Sequence, residues 1–193
     1  MTQRRGLTLT DVLITVVIGL VFAVIYSVWG AVYTALQPLG LHLNELVYGM
    51  WFIAAVVAYL IIRKPGVALL AEFAAGAGET IVLLQFDTVL IVYALLQGLA
   101  CEVIFLLVRY QSASMLTAVT AGVAAGLITI PIDWYYGYLG HLETWNVILL
   151  FSLRLLSAAL IAGVLAHLIY QALSKTGVIK LVGRRSDRDY EGL

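Results

Sequence analysis

Glu72 and Glu79 lie inside an apolar stretch, residues 67–84, that is long enough to cross a bilayer. An acidic side chain near the middle of a membrane costs roughly 3 kcal/mol to insert, so the pair costs about 6 kcal/mol before pairing or protonation. The spacing turns an α-helix by about 700°, so both carboxylates face nearly the same side, about 10.5 Å apart along the axis. They could flank an elongated binding cavity. The structural alternative is that each is protonated or paired and only specifies packing.

The composition of the chain places these glutamates in a membrane protein. Of 193 residues, 63% are hydrophobic and only 11% are charged, and the mean hydropathy is +1.02. These values exclude a soluble globular domain. The single cysteine, Cys101, excludes an internal disulfide and a metal site built from paired cysteines.

The apolar segments predict an all-α integral membrane protein with six transmembrane helices in a single domain, residues 1–193. Short connections leave no room for a soluble domain between them. Residues 174–193 are polar and charged, and we expect them to form a cytoplasmic tail. The six predicted spans cover about 12–36, 46–62, 67–84, 88–108, 115–132 and 145–173.

Lysines and arginines predict the orientation of the chain, which we expect to be a multi-pass protein of the cell membrane. If both termini are cytoplasmic, nearly all basic residues fall on the cytoplasmic side, as the positive-inside rule requires. The exception is Arg154, inside the sixth span, which could neutralise either Glu72 or Glu102. The residues on the cytoplasmic side would be Arg4, Arg5, Arg63, Lys64, Arg109, Lys175, Lys180, Arg184, Arg185 and Arg188.

Other polar and aromatic residues fall at similar depths to the two glutamates. Gln97, midway along the fourth span, would lie between them on the neighbouring helix, and Asn146 enters from the external end of the sixth span. Trp and Tyr residues near the external loops belong either to a cavity mouth or to an interfacial aromatic belt. The candidate substrate-binding residues are Glu72, Glu79, Gln97, Trp51, Tyr48, Asp133, Tyr136 and Asn146.

The first span carries a ridge of small residues at four-residue spacing, Gly19, Ala23, Ser27 and Ala31. Such a ridge allows close approach of another helix where lipid offers no hydrophobic driving force. It could therefore dock a partner protein or pack inside the bundle. The fifth span has a second series, formed by Ala118, Gly122 and Gly126, that could serve internal packing instead.

The sequence contains no motif for catalysis or nucleotide binding. A GxxxxGK[ST] loop, an HExxH helix and a GxSxG turn are all missing. We therefore expect neither an enzyme nor a bound cofactor or metal, and no nucleic-acid partner. Any ATP-driven work must be done by another chain.

Two blocks of sequence resemble the YkoE family: RKPGVALLAE at 63–72, followed by Glu79, and LLQGLACEVIFLLVRY at 95–110. Members of this family are substrate-binding S components of energy-coupling factor (ECF) transporters, implicated in uptake of thiamine or its hydroxymethylpyrimidine precursor. The resemblance implies a six-helix S-component bundle that captures its substrate near the external face. It also implies separate partners, a transmembrane coupling protein and two ATPase subunits, and a first helix that docks the coupling protein.

The sequence therefore favours a subunit that captures thiamine or a related aminopyrimidine from outside the cell. A carboxylate or Gln97 could bind the pyrimidine edge, aromatic rings could stack on it, and a thiazolium cation favours a nearby carboxylate. A second hypothesis is a proton- or cation-coupled secondary transporter in which Glu72 and Glu79 bind the coupling ion. A third is a purely structural subunit, which leaves the buried glutamates unexplained.

Overall fold

The computed structural model describes residues 6–183, and this part of the chain is helical with no strand. A 3₁₀ turn, Gln37–Leu39, follows the first helix, and a longer 3₁₀ helix, Leu43–Phe52, runs directly into the second. A π-helical segment, Ala158–Leu165, joins the last two helices, and residues 178–183 form a final helical stretch. The α-helices are α1 Leu9–Leu36, α2 Ile53–Ile62, α3 Val67–Val82, α4 Thr88–Leu107, α5 Met115–Tyr135, α6 Thr144–Ser157 and α7 Ala166–Thr176.

Within residues 6–183, five helical stretches are long and apolar enough to cross a membrane, so the chain is a multi-pass membrane protein. The third predicted span is the 16-residue helix α3, about 24 Å long, which falls short of a full crossing by this measure. The six-span count and the orientation therefore stay predictions. The five stretches are Leu9–Leu39, Leu43–Ile62, Thr88–Leu107, Met115–Tyr135 and Thr144–Thr176.

Helix α2 forms the centre of the bundle. Every residue from Phe52 to Leu60 is at most 3% exposed, and the helix is apolar on all sides. A helix without a polar face is stable only when neighbours cover it all round. The remaining helices therefore surround α2, and its N-terminal end, buried inside the bundle, needs hydrogen-bond partners from them.

Small residues bring α1 and α3 into close contact. A Cβ at Gly19 would lie 2.6 Å from the Cβ of Ala74, and a Cβ at Gly78 would lie 2.6 Å from that of Ala23. Both Gly19 and Ala23 are buried against α3. This packing corrects the prediction that these two residues dock a partner, because α3 already occupies their surface.

The rest of the small-residue ridge lies outside this contact. Ser27 is half-buried and Ala31 is exposed, so only these two ridge residues could still meet a partner. The second series, on α5, packs internally: a Cβ at Gly122 would lie 2.7 Å from the carbonyl oxygen of Ala158, in the π segment. Both series therefore contribute to packing within the bundle.

One end of the bundle, which we call the basic end, contains the start of α1 and the turns α2–α3 and α4–α5. Short connections make successive helices antiparallel, so the chain returns to this end with α7. Arg4, Arg5, Arg184, Arg185 and Arg188 lie outside the described residues. Of the basic residues that are described, all but Arg154 lie at the basic end, namely Arg63, Lys64, Arg109, Lys175 and Lys180.

Acidic side chains close helix starts at the basic end. Glu102 accepts hydrogen bonds from the backbone N–H groups of Gly66 at 2.6 Å and Ala68 at 3.1 Å, at the start of α3. Asp11 forms a capping box with Thr8 at the start of α1 and an ion pair with Lys64 at 2.5 Å. Glu102 is therefore not the partner of Arg154, because its carboxylate caps α3 instead.

Candidate substrate-binding cavity

A cavity of about 970 Å³ opens at the other end of the bundle, which we call the cavity end. Side chains from α1, the long 3₁₀ helix, α3, α4, α5 and α6 line it, together with residues of the connecting loops. Its volume is that of a pocket for a drug-sized ligand. Of the eight candidate binding residues, seven line this cavity: Glu72, Glu79, Gln97, Trp51, Tyr48, Asp133 and Asn146.

Tyr136 is the candidate that the cavity lining does not include. It lies in the turn after α5, where its ring contacts those of Tyr135 and Tyr138, with centroids 5.2 and 6.1 Å away. Tyr135 is 82% exposed. This cluster therefore fits the interfacial-belt alternative better than a place in the cavity wall.

The long 3₁₀ helix aligns three side chains along the cavity. With three residues per turn, Glu45, Tyr48 and Trp51 fall in a single column, and all three line the cavity. In an α-helix, Trp51 would be turned by about 120° from Glu45. The winding is supported by close packing, since the N–H of Gly49 donates to the hydroxyl of Ser157 at 2.8 Å. The predicted second span, 46–62, begins just after Glu45 and was expected to be an ordinary transmembrane helix.

Glu72 is fully buried, and both carboxylate oxygens have partners. The hydroxyl of Tyr26 lies 3.3 Å from each oxygen, and the N–H of Ala55 donates to Oε2 at 3.1 Å. The Tyr26 hydroxyl in turn accepts from the N–H of Ala54 at 3.1 Å. These N–H groups belong to the first turn of α2, where backbone N–H groups have no hydrogen-bond acceptor within the helix. Glu72 therefore stabilises the buried start of α2, although its side chain also borders the cavity.

Glu79 differs from Glu72 in having one oxygen without a partner. The indole N–H of Trp51 donates to Oε1 at 3.1 Å, whereas Oε2 is buried with no hydrogen-bond partner among the described residues. The side chain is only 4% exposed and borders the cavity. A buried acceptor without a partner is unfavourable by about 1–3 kcal/mol or more. A ligand that offers this oxygen a hydrogen-bond donor or a cation would remove that cost.

Arg154 forms a buried ion triad with two carboxylates. Its Nε donates to Glu45 at 2.6 Å, and its Nη1 donates to Asp133 at 2.7 Å and to the hydroxyl of Thr129 at 2.8 Å. The partner of Arg154 is therefore neither Glu72 nor Glu102. Glu45 was not among the predicted site residues, because the apolar pattern placed it outside the spans.

Tyrosines hold the outer oxygens of the ion triad. Tyr33 on α1 donates to Glu45 at 2.5 Å, and Tyr93 on α4 donates to Asp133. Tyr33 could have been found from its spacing, because Tyr26, Gly30 and Tyr33 follow a helical period on α1 and all line the cavity. The network thus connects α1, the 3₁₀ helix, α4, α5 and α6 around the cavity.

Aromatic rings form one wall of the cavity beside Glu79. The ring centroids of Tyr33, Tyr48 and Trp51 lie 5.3 to 6.1 Å from each other, in tilted and edge-on arrangements. Such a wall offers π-faces for a flat ring or an organic cation.

Two amide side chains complete the set that sequence reasoning selected. Gln97 is buried at the cavity lining, and Oδ1 of Asn146 lies 3.0 Å from Nε2 of His42 nearer the loops. Both offer donors and acceptors for a polar ligand edge.

Within residues 6–183, no group of His, Cys, Asp and Glu is arranged to hold a metal ion.

The fold and the polar cavity define a membrane-embedded binding protein, and comparisons with known proteins give its family. Residues 10–128 match the family described as "ABC-type cobalt transport system, permease component". "Putative HMP/thiamine permease protein YkoE" of Bacillus subtilis (strain 168) is 33% identical over 171 residues, 88% of this chain and 85% of that protein. A solved structure, "Crystal structure of an S-component of ECF transporter", has a TM-score of 0.83 and 30% identity, covering 97% of this chain and 99% of that chain.

The chain therefore belongs to the YkoE family, and its fold is that of an ECF-transporter S component. The resemblance noted from residues 63–72 and 95–110 is confirmed by these comparisons. They identify a transport subunit of a membrane transporter.

Proposed function

We propose that this chain captures thiamine or its hydroxymethylpyrimidine precursor from the external side, as the substrate-binding subunit of an ATP-driven ECF importer. The name of the Bacillus subtilis relative and the S-component fold support this proposal. The positions of the basic residues support an orientation in which the cavity faces outward.

The observation that carries the proposal is Oε2 of Glu79, which has no hydrogen-bond partner among the described residues and lies beside the rings of Trp51 and Tyr48. In this arrangement the thiazolium cation binds next to Glu79, where a desolvated carboxylate favours positive charge. The aminopyrimidine stacks on the aromatic wall, and the amide of Gln97 forms hydrogen bonds with its donor and acceptor edge.

The proposed partners are a transmembrane coupling protein and two ATPase subunits, with the lipid bilayer around the bundle. Because α3 covers Gly19 and Ala23, docking through α1 would use its outward face, including Ser27 and Ala31. Large apolar side chains such as Val24 and Val28 are exposed on the same helix and would meet lipid or partner.

Isothermal titration of the purified single chain in detergent tests the proposal. We expect one binding site for thiamine and for hydroxymethylpyrimidine without any ATPase subunit present. Gly30→Trp should abolish binding, because Gly30 lines the cavity and a side chain there would enter open space. Ala31→Trp is the matched control, since it adds the same bulk on an exposed position outside the cavity lining. No heat with either ligand for the unmodified chain would contradict the proposal.

A cation-coupled secondary transporter remains the second candidate, because Glu72 and Glu79 are both buried in the bundle. The hydrogen bonds of Glu72 argue against a shared ion site, since its carboxylate is engaged by Tyr26 and Ala55. Reconstitution of the single chain into liposomes separates the two candidates. Uptake driven by a proton or sodium gradient, with no other subunit present, would favour the secondary transporter.

A further inference from the structure

Acidic side chains dominate the charged groups around the cavity. Among the described residues that line it, Arg154 is the only lysine or arginine, and His42 and His141 are the other groups that can carry positive charge. The acidic side chains of the lining are Glu45, Glu72, Glu79, Asp87 and Asp133.

Carboxylates of the chain already engage Arg154. Its side chain is 5% exposed, and its Nε and Nη1 are engaged by the carboxylates of Glu45 and Asp133. The rings of Tyr48 and Phe151 lie over the guanidinium, with centroids 4.0 and 5.0 Å from its central carbon. One arginine between two carboxylates also leaves the triad with a net negative charge. Among the described residues, the cavity lining therefore offers no free guanidinium fork of the kind that binds phosphate.

Carboxylates also stand at three helix starts near the cavity, those of α2, α4 and α6. A helix N-terminus can bind phosphate through free N–H groups and its positive dipole end. At the start of α4, Asp87 accepts from the N–H of Val89 at 2.8 Å, and at the start of α2, Glu72 accepts from the N–H of Ala55. Glu143 stands at the N-cap of α6, where its carboxylate accepts from the indole N–H of Trp145 at 2.9 Å and makes no cap hydrogen bond to the backbone. Carboxylates of the chain therefore stand at the starts of α2, α4 and α6, where their negative charge opposes the binding of a phosphate at the positive end of the helix dipole.

We propose that the cavity binds thiamine compounds in their unphosphorylated forms and rejects their phosphate esters. This inference rests on the proposed function, and it narrows the substrate class from thiamine compounds in general to the unphosphorylated forms. A phosphate ester would bring negative charge close to several carboxylates, and the one arginine of the described cavity lining is already paired with two of them.

Titration of the single chain with matched ligands at pH 8 tests the inference. The ligands are thiamine, its monophosphate, its diphosphate and its acetate ester, which keeps the thiazolium cation and lengthens the same arm with a neutral group. We expect the acetate to bind within about threefold of thiamine, the monophosphate at least roughly tenfold more weakly, and the diphosphate more weakly still. At this pH an ordinary imidazole is neutral and phosphate monoesters are ionised.

Two variants test whether charge causes the weaker binding of the phosphate esters. Glu45→Gln removes the negative charge of one side chain of the triad and keeps the shape of that side chain. It should reduce the ratio of the monophosphate dissociation constant to the thiamine dissociation constant by about threefold or more. Asp87→Asn keeps the N-cap of α4 and should reduce the ratio less, because Asp87 is exposed to solvent screening. It also provides the test if Glu45→Gln fails to fold.

The outcomes distinguish this inference from the function on which it rests. Equal or tighter binding of the monophosphate would overturn the inference and leave the proposed function intact. If the acetate ester and the monophosphate both failed to bind, the inference would also be overturned, because the size of the added group and not its charge would then cause the discrimination. Failure of thiamine and hydroxymethylpyrimidine to bind at all would overturn both.

Discussion

The two ends of the bundle use buried acidic side chains for different purposes. At the basic end, Glu102 and Asp11 close the starts of α3 and α1, and Asp11 pairs with Lys64. At the cavity end, one carboxylate oxygen of Glu79 has no hydrogen-bond partner among the described residues. Arg154 forms ion pairs with two carboxylates beside the cavity. An acidic residue inside a membrane segment is therefore not in itself a sign of ligand binding. The hydrogen bonds of each carboxylate oxygen decide which purpose it serves.

The α3 glutamates show the same difference within one helix. Glu72 faces the cavity as Glu79 does, but its oxygens are engaged by Tyr26 and by the first turn of α2. The helical spacing correctly placed both carboxylates along one cavity. It could not show that one of them also has a structural role, because that role depends on where α2 begins.

The largest expected effect is on the ion triad at the cavity end. Arg154→Met leaves Glu45 and Asp133 buried without their cation, which should lower the free energy of unfolding by about 3–5 kcal/mol. Unfolding of the purified chain in mixed micelles, titrated with SDS, measures this change. The triple variant Glu45→Gln, Asp133→Asn, Arg154→Met should recover much of the loss, because no uncompensated charge remains. Equal losses in the single and triple variants would contradict this account of the triad.

A smaller effect is expected at the basic end. Glu102→Ala removes the acceptor for the N–H groups of Gly66 and Ala68 and should lower the free energy of unfolding by about 1 kcal/mol. Thiamine affinity should stay within about twofold of the unmodified chain, because Glu102 lies outside the cavity lining. The same SDS titration and a calorimetric titration measure the two quantities. A large loss of affinity with unchanged stability would remove the distinction between the two ends.

Much of the site could be predicted from the sequence, because apolar spans of bilayer length fix the depth of each polar residue. This argument brought Glu79, Gln97 and Asn146 to one cavity, as the structure has them. The 3₁₀ helix could not be predicted in the same way. A spacing of three residues suits both windings locally, and the choice depends on the close contact of Gly49 with Ser157.

Tertiary contacts also decided the partners that sequence reasoning left open. Depth alone allowed Arg154 to pair with Glu72 or Glu102, whereas the actual partners, Glu45 and Asp133, come from other elements of the cavity wall. The ridge on α1 illustrates the same limit. Small residues at four-residue spacing predict a close helix contact, and they do not say whether the neighbour belongs to the same chain.

We expect Oε2 of Glu79, which has no hydrogen-bond partner among the described residues, to bind the positive charge of the ligand, and a pair of titrations on Glu79→Gln tests this expectation. This variant keeps the shape of the side chain and should change the free energy of unfolding by less than about 1 kcal/mol, because Oε2 has no partner to lose. Thiamine affinity should fall by roughly ten- to a hundredfold, while affinity for neutral hydroxymethylpyrimidine should barely change. Glu143→Gln, the same substitution on an exposed residue outside the cavity lining, is the control. Equal weakening of both ligands by Glu79→Gln, or no weakening of either, would contradict the claim.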